Sequence, residues 1–281
     1  MTTETYRFNL GDFECISISD GSMNYPLENF FANVPRDQVE ALLRQRNLTT
    51  EHITTPYTCL FVNTGQHKVM VDTGSGHNLG PSAGKLLDNM KGAGLEPADI
   101  DTVIITHAHP DHIGGNLDEE GRLNFANAQY FIWKHEWNFW MSETAVEKAP
   151  EVHVKVARKN LEPIQQRLSF VDQETEIVPG LRALAAPGHT PGHMALSIFS
   201  GDDQLLHISD TVLYPLHLEH LDWLPVYDIL PEEAATSKRR IFDRAATEKV
   251  LVFAHHFPPF PNLGHVASKG NAWQWQPLEI S

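Results

Sequence analysis

Basic side chains are scarce in this chain: 21 lysines and arginines stand against 36 aspartates and glutamates over 281 residues, a formal net charge of −15. Nucleic-acid binding relies on clustered Lys and Arg against phosphate. The acidity therefore excludes a nucleic-acid partner and argues against docking on an anionic membrane; it reads as a solvated, solubilising surface. Cysteine is nearly missing. Cys15 and Cys59 lie in strand-like segments without the spacing of a thiolate metal site, and two buried free thiols are expected rather than a disulfide. Long apolar runs are missing as well, with nothing near the roughly 18–20 residues that a membrane-spanning helix needs. The opening M-T-T-E-T-Y-R-F-N-L lacks the basic and apolar regions of a secretory signal. A cytoplasmic protein is the expectation. Repeats, low-complexity tracts and linkers are absent too. With 41% apolar and 20% charged residues, the composition fits one ordinary globular domain spanning 1–281.

Strand and helix signals interleave along that length. Phe13 to Ser19 alternates and stops at Asp20-Gly21. Tyr57 to Val62 and Lys68 to Val71 flank Asn63-Thr64-Gly65, a hairpin signal. Thr102 to Thr106, Gln129 to Trp133, Leu181 to Leu184, Ala195 to Phe199, Gln204 to Ile208 and Val250 to Phe253 read as further strands, the first and last as buried ones. Helices are expected over Pro35–Arg46, Ser82–Met90, from Glu136 towards Met141, and from Pro231 to about Ala246. This interleaving predicts a layered α/β architecture.

Histidine, by contrast, is abundant, with sixteen copies. Thr106 to Gly115, T-H-A-H-P-D-H-I-G-G, packs three histidines and an aspartate into six positions behind a buried strand. In extended backbone His107 and His109 point to the same side and can reach one ion. Pro110 then turns the chain, which aims Asp111 and His112 elsewhere, so a single loop can serve two neighbouring metals. Later strands end in further ligand types: P-G-H-T-P-G-H holds His189 and His193, I-S-D-T holds Asp210, and A-H-H-F-P holds His255 and His256. Imidazole with carboxylate suits zinc, and less selectively iron, manganese or cobalt.

These motifs, in this order and with V-D-T-G at Val71 to Gly74, resemble the metallo-β-lactamase superfamily over nearly the whole chain. The resemblance implies a four-layer αββα sandwich with a short N-terminal insertion at about 22–55. It implies two divalent metal ions, most simply zinc: one held by His107, His109 and His189, the other by Asp111, His112 and His256, with Asp210 bridging. The family's segment puts the last ligand directly before Phe, which favours His256 over His255. The implied chemistry is attack by a metal-bridging hydroxide, with Asp111 shuttling a proton. His193 is expected to be a structural histidine bonded to backbone, and Asp72 to brace the ligand loops. His135, His153, His207 and His265 match no ligand position and are read as ordinary residues.

Departures from sister families narrow the chemistry. His112 and Asp210 stand where one class of β-lactamases carries Arg and Cys, and His109 where flavodiiron proteins carry Glu. The L-E-H-L-D-W and F-P-N-L-G-H segments point to the branch that holds methyl parathion hydrolases and N-acyl homoserine lactonases. The expectation is hydrolysis of a small-molecule lactone, ester or phosphotriester; a glyoxalase II-like thioesterase and a mononuclear iron oxygenase are the alternatives. Tyr214 and His220 are expected to bind substrate, His217 to line the cleft, and the Trp133–Trp140 aromatics to be core or cleft wall. P-L-E-N-F-F, Pro26 to Phe31, is expected to cover the cleft or to form a dimer contact, since related hydrolases pair.

Overall fold

A computed structural model describes residues 4–280. Two seven-stranded sheets stack, and within each the spatial order of the strands follows the chain. The first sheet holds β1 (Thr5–Leu10), β2 (Phe13–Tyr25), β3 (Ile53–Asn63), β4 (Lys68–Val71), β5 (Thr102–Ile105), β6 (Gln129–Trp133) and β7 (Leu168–Val171). The second holds β8 (Glu176–Val178), β9 (Leu181–Ala185), β10 (Met194–Ser200), β11 (Asp203–His207), β12 (Leu251–Phe253), β13 (Leu263–Lys269) and β14 (Ala272–Pro277).

Period-two alternation within all-apolar strands builds the layers. In β4 and β5, Val69, Val71 and Ile104 face the other sheet and meet Leu196, Ile198 and Phe253. Their neighbours Met70, Val103 and Ile105 face outward onto Met90, Trp140, Val154 and Leu161 of the covering helices. On the far side, Leu206 and Val252 pack under Ile241, Phe242 and Ala245 of the helix Pro231–Glu248. This is the expected αββα sandwich. Cys15 and Cys59 are free and buried, and burial first, with Glu14 adding, pushes the Cys15 thiol up to about 12.

Two local expectations needed correction, and one helix was missed. β2 does not stop at Asp20-Gly21 but bends there through a register shift and runs on to Tyr25. At Gly21, with φ of +106°, a Cβ would collide with the Ser82 carbonyl. The helix expected from Ser82 begins at Leu86 instead, where Asp20 Oδ1 accepts the Leu86 N–H at 2.9 Å. The helix Glu151–Leu161 was not foreseen, because Val152, Val154 and Val156 alternate as a strand would; packing of Val154 and Leu161 under the sheet overrides that pattern.

The segment between β2 and β3 folds as two helices, Leu27–Phe30 and Arg36–Gln45. Leu27, Phe30, Phe31 and Leu43 bury against Leu213, Tyr214 and Trp223. Leu27, Phe30 and Phe31 of the apolar Pro26–Phe31 stretch are thus buried within the chain, with Phe30 over the cleft described next. No helix among the described residues is long and apolar enough to cross a membrane.

Candidate metal centre

Strand direction gathers the ligand loops on one edge. β4 and β5 are parallel, so the loops after Val71 and Ile105 open the same way. β11 and β12 are parallel as well, and β10, antiparallel to β11, begins where they end. Two contacts fasten the sheets together there: Met194 N–H donates to the Thr106 carbonyl at 3.0 Å, and Thr106 Oγ1 lies 2.8 Å from Ser209 Oγ.

Two groups of ligand atoms result: His107, His109, His189 and Asp210, and Asp111, His112, His255 and His256, each within a 4.8 Å span. His109 Nδ1 sits 3.1 Å from His107 Nε2 and 2.9 Å from His189 Nε2. Tetrahedral zinc with bonds of about 2.0–2.1 Å sets its nitrogens about 3.3 Å apart, so both spacings are close to that size. Asp210 joins the groups. Its Oδ2 lies 3.1 Å from His256 Nε2, 3.3 Å from His189 Nε2 and 3.8 Å from His107 Nε2, and its Oδ1 lies 3.3 Å from His112 Nε2.

The donor chemistry fits divalent cations. His112 Nδ1 lies 2.8 Å from Asp72 Oδ2, which leaves Nε2 to present a lone pair. That Nε2 and Asp210 Oδ1 are both buried, and neither is hydrogen-bonded. Two lone pairs facing each other in a dry site call for a cation between them. Asp111 and Asp210 line the cavity, and no lysine or arginine does. Burial pulls His112 down, but Asp210, Asp111 and Asp72 outweigh it and hold its imidazole well above the usual range, so that without a cation the same carboxylates draw a proton to this ring. His107 and His109 go the other way, well below it, chiefly through burial.

Buried acceptors brace the ligands. Asp72 accepts from Thr106 N–H and Oγ1, both at 2.8 Å, besides holding His112. His189 Nδ1 lies 3.0 Å from Asp228 Oδ1, and His256 Nδ1 donates to the Pro56 carbonyl at 3.1 Å. His193, as expected, is bound to backbone: Nδ1 donates to the Ala186 carbonyl at 3.0 Å and Nε2 accepts the Asp210 N–H at 3.1 Å. His256 Nε2 faces Asp111 Oδ2 at 3.3 Å. His255 instead stacks beneath His112, ring centroids 4.0 Å apart.

Glu136 and Asp228 escaped the sequence reading. Glu136 is fully buried and accepts four hydrogen bonds: from Ala108 N–H at 2.8 Å, Trp140 Nε1 at 2.6 Å, Thr190 Oγ1 at 2.6 Å and Gly192 N–H at 3.0 Å. It ties the loop carrying His107 and His109 to the loop carrying His189. An acid at the head of an aromatic-rich helix gives no sequence signal of this.

Above the ligands lies a cavity of about 180 Å³ walled by Tyr25, Phe30, Tyr57, Leu79, Leu213 and Tyr227, among others. Tyr214 and His220, expected to bind substrate, are not among its lining residues. The Tyr214 ring packs edge-on against Phe30 and Phe31 at 6.1 and 6.3 Å and borders a separate groove with Pro258 and Phe260. His220 stacks on Trp223 at 4.1 Å. His217 acts from behind, its Nε2 donating to the Phe30 carbonyl at 2.7 Å. His153, read as ordinary, reaches the wall. Tyr214→Phe is accordingly expected to leave kcat and KM within about twofold of the parent, since it removes only a hydroxyl from a buried ring that does not line the cavity; a larger fall in steady-state kinetics would return Tyr214 to the site.

Comparison with known proteins agrees with this geometry. The model of the metallo-beta-lactamase superfamily matches residues 53–255, ending one residue short of His256. An N-acyl homoserine lactonase of Bacillus cereus is 27% identical over 79% of this chain and 87% of its own. One of Bacillus thuringiensis is 25% identical over 72% and 81%. Among solved structures, the dizinc quorum-quenching lactonase AidC, in complex with a product, superposes with a TM-score of 0.93 at 28% identity, covering 99% of this chain and 98% of that one. The hydrolase AbOPH gives 0.92 at 26% identity, covering 100% and 99%. The chain belongs to the metallo-beta-lactamase superfamily, as one of its lactonase-like, metal-dependent hydrolases.

Proposed function

We propose that this enzyme opens the ring ester of an N-acyl homoserine lactone or a close lactone relative. His107, His109 and His189 would hold one zinc ion, Asp111, His112 and His256 the other, and Asp210 would serve both. When bound, such a pair supplies a water that is nucleophilic near neutral pH and polarises the ester carbonyl. The chain's own groups do the rest. Asp111, at the cavity floor beside His256, takes the proton of the attacking water and returns it to the departing ring oxygen. Phe30, Leu79 and Leu213 cover the site and exclude solvent from it.

The observation that carries this reading is the shared Asp210, the one carboxylate among the described residues that lies within 4 Å of imidazoles from both groups. Full-length similarity to a dizinc lactonase supports it.

Proton release from N-hexanoyl homoserine lactone tests the proposal, measured before chelation, after it, and after zinc is restored. Turnover that vanishes and returns, with two zinc ions per chain by elemental analysis, is the expected result. No turnover by a protein verified to hold two zinc ions sinks the lactone assignment and moves the search to aryl esters and phosphotriesters. A coloured protein with one iron per chain would favour the oxygenase alternative instead.

A further inference from the structure

His153 is the only nitrogen-bearing side chain of the cavity wall outside the two ligand groups. It projects from the helix Glu151–Leu161, its ring centroid 5.0 Å from that of His109. Nδ1 is buried without a partner, and no protein group among the described residues bonds Nε2. The wall's other polar groups outside the ligand sets are hydroxyls. Tyr25 and Tyr57 bond each other through their hydroxyls, and Tyr227 Oη accepts from Asn29 Nδ2 at 2.7 Å. Thr55 Oγ1, like His153 Nδ1, is buried without a partner. An imidazole is mostly neutral above its ordinary pKa of about 6.5. A neutral imidazole offers one donor and one acceptor.

A half-buried imidazole with nothing to bond is costly in an apolar wall, and a ligand that supplies the missing partner recovers that cost. The wall around it, Phe30, Leu79 and Leu213, suits an alkyl arm. An acyl arm joined through an amide presents one N–H and one carbonyl between the ester and that alkyl chain, which are the two functions a neutral imidazole can match. Resting on the lactonase reading above, we infer that His153 is a specificity-determining residue that hydrogen-bonds the amide of the substrate's acyl arm. It does not touch the ester under attack, so it sets which lactones are preferred rather than whether hydrolysis occurs.

The zinc-loaded enzyme, His153→Phe and His153→Asn are compared on two lactones of equal length. One is N-hexanoyl homoserine lactone; the other is a γ-butyrolactone with a plain alkyl arm. A site built around a hydrogen bond discriminates strongly against a ligand lacking the partner. On the amide lactone, kcat/KM is expected to fall at least about tenfold in H153F, mostly through KM, while the alkyl lactone changes less than about twofold; H153N recovers part of the loss. Calorimetric binding of N-hexanoyl homoserine should weaken by a similar factor in H153F. Equal losses on both lactones, or none on either, overturn the inference. Turnover of neither lactone by the parent enzyme is a different result: it removes the lactonase reading, and this inference with it.

Discussion

Asp210→Ala is expected to lower kcat/KM by about a thousandfold or more, since a two-metal site that loses its shared carboxylate loses both the clamp and the charge that holds the ions. The carboxylate is 3% exposed and faces four imidazoles drawn from both ligand groups. Burial opposes its ionisation, yet His256 and His112 lead the groups that hold its carboxyl well below the ordinary range. It is therefore a fixed negative charge at neutral pH, and alanine leaves those imidazoles without it. Asp210→Asn separates shape from charge: the amide keeps the volume but not the anion, and the same loss is expected together with fewer than two metals per chain. Activity within tenfold of the parent in either variant, with zinc still bound, would end the shared-carboxylate account.

The ligand loops were legible in the sequence because their geometry is local. His107 and His109 stand two apart behind an apolar strand, and strand alternation alone puts both on one side. Asp210 and His256 likewise follow apolar strands, and parallel strands must end at a common edge. The cavity wall was not legible, because it is assembled from five places with no local period: the insertion, Leu79, His153, Leu213 and Tyr227. Tyr214 shows the difficulty in one residue. Counting four positions along from Asp210 ignores the helical turn Ser209–Thr211 and the Pro215 that follows. That path sends Leu213 into the cavity and its neighbour Tyr214 out to the Phe30–Phe31 side. Glu136 was illegible for another reason: its partners are two backbone N–H groups, a hydroxyl and an indole, and three of the four lie 28 to 56 residues away.

Glu136→Ala is expected to cost about 3 kcal/mol of stability, because it strands four buried donors at once and hydrogen bonds to a charged acceptor are worth about 1.5–3 kcal/mol each, with only part of that sum realised. For a chain of this length that is a fall of roughly 5 °C in Tm. Burial pushes the Glu136 carboxyl above its ordinary range while Thr190, Trp140, Ala108 and Gly192 pull it back; with donors on all sides, the ionised form is the one that fits. Glu136→Gln distinguishes packing from charge. One amide oxygen can still serve Ala108 and Trp140, and the Thr190 hydroxyl can turn to accept from the new NH2. The Gly192 N–H cannot turn, and it is held close, since a Cβ on Gly192 would strike the Glu136 backbone. An intermediate Tm is therefore expected for Gln. Because Ala108 lies between His107 and His109, and Thr190 follows His189, loosening this carboxylate loosens the first ligand group in particular. The alanine variant should lose one metal per chain at a chelator concentration that leaves the parent loaded. An unchanged Tm with both metals retained would show that the two loops hold their places without it.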